Sequence, residues 1–288
     1  MTITAANSVY FWRPAAWLHV SGPDAAAFLQ GQFSNDLGLL STRPAVYGLW
    51  LNQKGRVLAD SFVLKGATAE EFWIGSYFSL AAVIRERLES HIIADDVVVT
   101  DESTAWFGVT RLGLQPMEEK FQATHDRLIF PGRRSRDESV EILTRVPVEV
   151  SGVAILSELE MERARIRAGL PSVPVDIGPG ELPPEGGLER DAISYTKGCY
   201  LGQEVMARLK SMGQVRRRLK SIAGSGAVPT CPAKLYQGSQ LVGEIRSAVA
   251  EGEGFIGLAL ITLLHWQQGA ALSLAPEGPA SIQVRQDT

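Results

Sequence analysis

One of the two cysteines in this chain lies in a segment whose neighbouring residues could make its thiol reactive. Residues 197–204 read K-G-C-Y-L-G-Q-E, so Cys199 stands between Gly198 and Tyr200 and two residues after a lysine. A nearby ammonium group, or a helix that begins at about Gly202, would lower the pKa of the thiol. The two glycines would allow backbone conformations with positive φ. The competing interpretation is a small apolar side chain in a tight corner, because unpaired cysteine is among the most buried residue types.

A run of cations follows this segment, although the chain as a whole has a net charge of −4. The six are Arg208, Lys210, Arg216, Arg217, Arg218 and Lys220. One interpretation is an ordinary solvated surface. A second is a cradle for a ligand with several carboxylates, which arginine binds in a bidentate geometry. A third is contact with an RNA backbone, which the salt dependence of binding would distinguish.

Several common catalytic and metal-binding patterns are absent from the sequence. The four histidines lie far apart and show no HxxxH or HxH spacing, so no metal site is predicted. The sequence contains no GxGxxG, P-loop or GxSxG pattern either. Cys199 and Cys231 cannot supply the four thiolates of an ordinary protein-held iron–sulfur cluster. Any role in cluster chemistry would therefore be transient, shared with a partner, or indirect.

Hydrophobic spacing, together with capping and turn residues, predicts the elements in the first half of the chain. We expect strands at 17–20, 97–100 and 106–112, hairpin strands between 47 and 74, and helices at 25–30 and 79–91. Ser21 or Asp24 is expected to cap the first of these helices and Gly31 to end it.

The second half begins with a clear helix signal and ends in β-like runs. Ser157 and Glu160 form a capping-box pattern for a helix that runs to Ala168, with Gly169 after it. The segment 171–188 is a long loop rich in proline and glycine, and we expect it to be functional because it leads into the cysteine segment. Beyond residue 221, short strands, including one at 270–274, predict a small closed or nearly closed β-unit.

Length and composition predict a globular protein of two or three units. The chain has 288 residues, of which 45% are hydrophobic and 21% are charged. Its first 12 residues do not resemble a secretory signal, and its most apolar stretch has about half the length of a membrane-spanning helix. Two cysteines without a CxxC pair fit a reducing compartment. We expect a soluble, cytoplasmic protein that does not bind a membrane.

Four segments together resemble the YgfZ family of folate-binding proteins, which are relatives of the glycine-cleavage T-protein, an aminomethyltransferase. These segments are 17–36, 54–58, 165–171 and 197–204, the last with the pattern K-G-C-Y-x-G-Q-E. They occur in the family's order and span most of the first 220 residues.

The resemblance implies an α+β fold with the three-domain arrangement of T-protein. A discontinuous first domain (1–44 and 149–216) would surround a second domain (45–148), and a C-terminal β-barrel (217–288) would follow. Tetrahydrofolate or a derivative would bind non-covalently in the central opening. The implied function is support for assembly or repair of iron–sulfur clusters in client enzymes, among them one that modifies tRNA.

Within this resemblance Cys199 is expected to be a reactive or partner-facing thiol. Iron–sulfur client or assembly proteins are the expected partners, together with folate. The residues expected to bind folate or to shape its site are Lys197, Tyr200, Gln203, Glu204, Arg216, Arg217 and Arg218.

Two positions depart from the T-protein pattern. Ala59 replaces the first of two adjacent aspartates and leaves only Asp60, and Arg167 stands where T-protein has a glutamate that grips the pterin. A carboxylate accepts hydrogen bonds from pterin N–H groups, whereas a guanidinium only donates them. We therefore expect folate binding without T-protein turnover. The alternatives are a folate-dependent aminomethyl or one-carbon transferase, in which Asp60 is catalytic, and a scaffold that binds no folate.

Overall fold

The structure, a computed structural model, describes residues 8–113, 126–136 and 139–285. The helices in these ranges are α1 (Ala25–Gln32), α2 (Ala81–Glu89), α3 (Glu158–Arg167) and α4 (Gln203–Met212). The strands are β1 (Ser8–Trp12), β2 (Ala16–Ser21), β3 (Val46–Leu51), β4 (Val57–Lys65), β5 (Glu71–Ser76), β6 (Val98–Asp101), β7 (Phe107–Leu112), β8 (Arg127–Pro131), β9 (Ser139–Thr144), β10 (Ala154–Ile155), β11 (Arg217–Ser225), β12 (Ala233–Gln237), β13 (Gln240–Glu251), β14 (Gly254–Thr262) and β15 (Ile282–Val284). None of these helices is long and apolar enough to cross a membrane.

The strands form three sheets of five strands each within the described residues. Sheet I has the order β3-β4-β5-β2-β6, sheet II the order β10-β1-β7-β9-β8, and sheet III the order β12-β13-β14-β11-β15. Neighbouring strands are antiparallel except β1 and β10, which are parallel. The helices are few and do not alternate regularly with the strands along the chain. The predicted α+β class is therefore confirmed.

An aromatic layer joins sheets I and II. Trp17 on β2 stacks on Trp73 of β5 with ring centroids 6.0 Å apart and on Phe130 of β8 at 6.3 Å. Trp106 packs against both tryptophans. A Cβ atom at Gly75 would lie 2.0 Å from the Trp17 ring, so this approach needs a residue without a side chain. The layer therefore packs sheet I against sheet II.

The predicted helices in the first half are confirmed, with shifted ends. Helix α1 continues through Gly31 to Gln32 and ends where Phe33 becomes extended and bridges to Trp50 of β3. Asp24 occupies the N-cap position, but its side chain accepts a hydrogen bond from the backbone N–H of Asp96 instead of capping the helix. The sequence predicted a local cap, but the Asp24 carboxylate binds the backbone of a residue distant in sequence instead.

The predicted start of α3 is confirmed in detail. The Ser157 hydroxyl accepts from the backbone N–H of Glu160, and the Glu160 carboxylate accepts from the backbone N–H of Ser157 at 2.8 Å. Gly169 follows the helix with φ +68°. The strand predicted at 270–274 is wrong: Leu272 and Ser273 form only isolated bridges, although they pack beside sheet III.

Strand pairing connects distant parts of the chain. Strand β2 pairs with β5 and β6, and β1 pairs with β7, so residues before position 44 share sheets with residues 45–148. Strands β11 to β15 form sheet III by themselves. The domain bounds derived from the resemblance stay a prediction.

Candidate functional site

The cysteine segment packs against the turn between β3 and β4. Gly202, directly before α4, has φ +88°, and a Cβ atom there would lie 2.9 Å from the carbonyl oxygen of Asn52 and 3.1 Å from Cα of Gly55. A helix does begin directly after Gly202, which is one of the conditions that the sequence indicated for a reactive thiol. Gly198 has no atom within 4 Å of its added Cβ and no positive φ. Of the two glycines, only Gly202 therefore has a backbone conformation and surroundings that require glycine.

Lys197 fixes the other end of the segment. Its ammonium group donates hydrogen bonds to the carbonyl oxygens of Gln30, Phe33 and Asn35, at the C-terminal end of α1 and just beyond it. The partial negative charge of a helix C-terminus favours a cation there. Burial lowers the pKa of Lys197 to about 8. Because a lysine ammonium has three N–H donors and all three are used, Lys197 acts as an anchor instead of a hydrogen-bond donor to the thiol.

Tyr200 is a second anchor, on the opposite side of the cysteine. Its ring is buried in an apolar cluster, and the Lys197 ammonium lies 5.2 Å from the ring centroid. Burial raises the pKa of Tyr200, and its hydroxyl has no hydrogen-bond partner among the described residues. Gln203 donates to the Lys197 carbonyl at 3.4 Å, whereas Glu204 is exposed. Tyr200 and Gln203 therefore stabilise the segment itself.

The two cysteines differ in their surroundings. Cys199 is exposed between the Lys197 and Tyr200 anchors, and Cys231 is half-buried beside sheet III with Sγ 3.7 Å from the carbonyl oxygen of Pro229. Burial raises the pKa of the Cys231 thiol to about 11. In the part of the chain that the structure describes, no group of three His, Cys, Asp or Glu side chains is arranged to hold a metal ion. Cys199 is thus the accessible thiol of the pair.

The three consecutive arginines point in two directions, because successive side chains of a strand alternate. Arg217 donates to Glu185 at 2.9 Å and to Glu181 at 3.4 Å, and both carboxylates belong to the proline- and glycine-rich loop. Arg216 and Arg218 line a cavity on the other side. The role of Arg217 in a ligand cradle stays a prediction, and its charge is paired with these two carboxylates.

The cavity beside Arg216 has a volume of about 1240 Å³, and we call it the side cavity. It lies between the last turn of α4, the start of β11 and residues 262–265, at the end of β14 and just beyond it. Lys210 at the end of α4 lies over the Tyr195 ring, with Nζ 4.2 Å from the ring centroid. The cysteine segment and the side cavity therefore lie at opposite ends of α4.

A second cavity, the central cavity, has a volume of about 540 Å³ where a loop of sheet II meets α3, residues 186–191 and sheet III. Six arginines line it: Arg133, Arg136, Arg167, Arg190, Arg218 and Arg285. Arg133 pairs with Asp191, and Arg167 pairs with Glu251 at 2.9 Å. Sequence reasoning missed Arg133, Arg136, Arg190 and Arg285, because no short motif joins them and folding alone brings them together.

Asp60 lies outside the lining of both cavities. Its carboxylate is buried and accepts hydrogen bonds from the hydroxyls of Ser76 and Ser79 at 2.7 Å each, and from Tyr47 at 2.9 Å. Burial raises the pKa of Asp60, and these hydroxyls oppose the shift. In this structure the carboxylate is enclosed by protein donors.

Comparisons with known proteins agree with this architecture. The sequence profile of the GCVT N-terminal domain matches residues 14–115. The human protein named "Iron-sulfur cluster assembly factor IBA57, mitochondrial" is 30% identical over 297 residues, covering 91% of this chain and 82% of the relative. The "tRNA-modifying protein YgfZ" of Edwardsiella ictaluri is 27% identical over 237 residues, covering 74% of this chain and 69% of that protein.

A solved structure shows the same fold. The glycine cleavage system aminomethyltransferase T from Bartonella henselae superposes with a TM-score of 0.80 over 98% of this chain and 86% of that chain, at 16% sequence identity. The predicted T-protein-like fold is confirmed. The 30% identity to human IBA57 extends over most of both chains. Together with the shared fold, it shows that this chain belongs to the family of the YgfZ and IBA57 proteins.

Proposed function

We propose that this protein supports the assembly or repair of iron–sulfur clusters in client enzymes, including enzymes that modify tRNA, through the thiol of Cys199. The observation that carries the proposal is the exposed position of Cys199 between the buried anchors Lys197 and Tyr200. The printed names of the IBA57 and YgfZ relatives support the same chemistry.

A single thiol implies that a partner supplies the remaining ligands of any cluster. Iron–sulfur clusters are ordinarily held by four cysteine thiolates, and here one thiol is exposed while Cys231 is half-buried. A loop fixed at both ends loses little conformational freedom on docking, so Cys199 can meet a partner in a defined geometry. The thiolate is the form that binds metal, and it forms when the proton leaves.

Tetrahydrofolate is the ligand that we assign to the central cavity. The carboxylates of its glutamate tail fit guanidinium groups, and Arg190, Arg218 and Arg285 make no side-chain hydrogen bond or ion pair with the described residues. The pterin ring needs acceptors for its N–H groups. Asp191 is the carboxylate in the cavity lining, and Arg133 occupies its Oδ2 atom, so Oδ1 is the acceptor that we assign to the pterin. When bound, the folate would supply a one-carbon carrier; the protein binds and orients its anionic end.

The enclosure of Asp60 favours a protein that binds folate without turnover over the alternative, a folate-dependent transferase. A general acid or base must come within hydrogen-bond reach of the reacting group, and the Asp60 oxygens are occupied by Tyr47, Ser76 and Ser79. Asp60→Asn is therefore expected to leave tetrahydrofolate binding unchanged in calorimetry. Product formation from tetrahydrofolate and an aminomethyl donor by wild type, lost in Asp60→Asn, would establish the transferase instead.

The test of the proposed function is rescue of cells that lack their own YgfZ-type protein. The measured quantity is the activity of an iron–sulfur enzyme that modifies tRNA, at matched expression of each variant. We expect wild type and the control Cys231→Ser to rescue and Cys199→Ser to fail. Rescue by Cys199→Ser would contradict the role of the thiol, and failure of folded wild type would contradict the pathway.

A further inference from the structure

The side cavity exposes apolar side chains on a fixed surface. Leu264 is 84% exposed, and Leu209, Val215 and Leu263 line the same cavity. The backbone N–H of Leu263 donates to the Arg216 carbonyl at 2.9 Å, which holds the turn after β14 against the start of β11. Clustered apolar side chains on a surface mark interaction sites more often than scattered ones do.

Cations line the side cavity together with these apolar side chains. Arg216 and Arg218 make no side-chain hydrogen bond or ion pair with the described residues, and Lys210 contacts only the face of Tyr195 in the contacts that the structure describes. Glu189 is the carboxylate among the lining residues, and its Oε2 atom is buried without a hydrogen-bond donor. The surface is therefore complementary to apolar side chains flanked by carboxylates.

The size of the side cavity favours a macromolecule over a small cofactor. Small-molecule sites occupy roughly 300–1,000 Å³ and enclose most of the ligand. This cavity has a volume of about 1240 Å³ and opens at the surface. RNA would need cations that follow successive phosphates, whereas the lining of this cavity combines leucine and valine side chains with cations. A protein segment fits this combination best.

Helix α4 connects the side cavity to the cysteine segment. Gly202 precedes the helix, and Lys210 lies in its last turn. At about 1.5 Å of rise per residue, they are separated by about 12 Å along the helix axis. A partner seated in the cavity would therefore reach Cys199 with the adjacent part of its own surface.

We propose that the side cavity is the docking site for an acidic, amphipathic segment of the iron–sulfur client or assembly protein whose cluster Cys199 serves. This inference rests on the proposed function and adds the surface by which the partner is recognised. Apolar side chains of the segment pack on Leu264 and Leu209, and its carboxylates pair with Arg216 and Lys210. Docking at one end of α4 brings the partner's cluster ligands to the thiol at the other end.

The first test compares surface variants in the rescue assay. Leu264→Ser and Arg216→Glu change the cavity, and the matched controls Leu241→Ser and Arg208→Glu change an exposed leucine and an exposed arginine that do not line it. We expect both cavity variants to melt at the wild-type temperature and to lose most of the rescue, while both controls rescue. Full rescue by both cavity variants overturns the inference, and failure of wild type overturns the proposed function instead.

The second test identifies the occupant. A photo-reactive amino acid replaces Leu264 in the complementing cells, and the same amino acid at Leu241 is the control. We expect cross-links to an acidic segment of an iron–sulfur protein, with the yield reduced at least about tenfold by Arg216→Glu, as for loss of a charged contact in a binding hot spot. Cross-links to RNA, or a yield no greater than at position 241, overturn the inference.

Discussion

Lys197 stabilises the protein because its three N–H donors point at backbone carbonyls and not at the thiol. Replacing it by methionine removes the group that satisfies the carbonyls of Gln30, Phe33 and Asn35. Buried acceptors that lose their donor cost about 1–3 kcal/mol, and a charged donor costs more. We expect Lys197→Met to lower the free energy of unfolding in urea by about 2–4 kcal/mol. The exposed Lys54→Met should change it by less than about 0.5 kcal/mol, and an equal effect of both would contradict the anchor role.

The two thiols should be separable by alkylation. The pKa of Cys231 is raised to about 11, so at pH 8 only about one molecule in a thousand carries the reactive thiolate at that position. Iodoacetamide at pH 8 is expected to modify the exposed Cys199 first, as followed by mass spectrometry. The rate at Cys231 should then increase as the pH rises towards 11. Rapid modification of Cys231 at pH 8 in the Cys199→Ser variant would show that its thiol is not desolvated.

At the scale of elements, the junction between the β3–β4 turn and α4 depends on one glycine. Gly202→Ala would place a Cβ atom 2.9 Å from the Asn52 carbonyl at a φ of +88°, and such strain costs about 1–3 kcal/mol. Gly198→Ala meets no atom within 4 Å and should be nearly neutral. Thermal unfolding of the two variants measures the difference, and a Gly202→Ala protein as stable as Gly198→Ala would show that the turn adapts.

Local signals were sufficient for most elements of this fold. The Ser157 and Glu160 capping box is complete within four residues, and the strands between 47 and 74 are separated by recognisable turns. The sites were less predictable, because contacts between distant residues decide them. Arg217 was expected to bind a ligand, but Glu181 and Glu185 pair with it only after the loop folds against β11.

At the scale of the whole molecule, a buried ionic network joins α3, the loop that follows it and sheet III. Asp176 is fully buried and accepts hydrogen bonds from Arg165 at 2.6 Å, from Ser247 at 2.6 Å and from the backbone N–H of Ser172 at 2.8 Å. Removing one partner of a buried ion pair costs about 3–5 kcal/mol. Asp176→Asn is therefore expected to lower the free energy of unfolding by about that amount, against less than about 0.5 kcal/mol for the exposed Asp95→Asn. Equal stability of the two variants in urea would contradict this role of the network.

The Lys197 contacts also set an order of events during synthesis. They join residues that are 162 to 167 positions apart in the chain. Contacts of such long separation form late, and a growing chain folds its N-terminal parts first. A ribosome-bound chain that ends before residue 197 can complete α1 and the β3–β4 turn, yet it contains no Cys199 to place on them. The thiol thus reaches its docking geometry only after the first 199 residues have been made, so partners would not encounter it on shorter nascent chains.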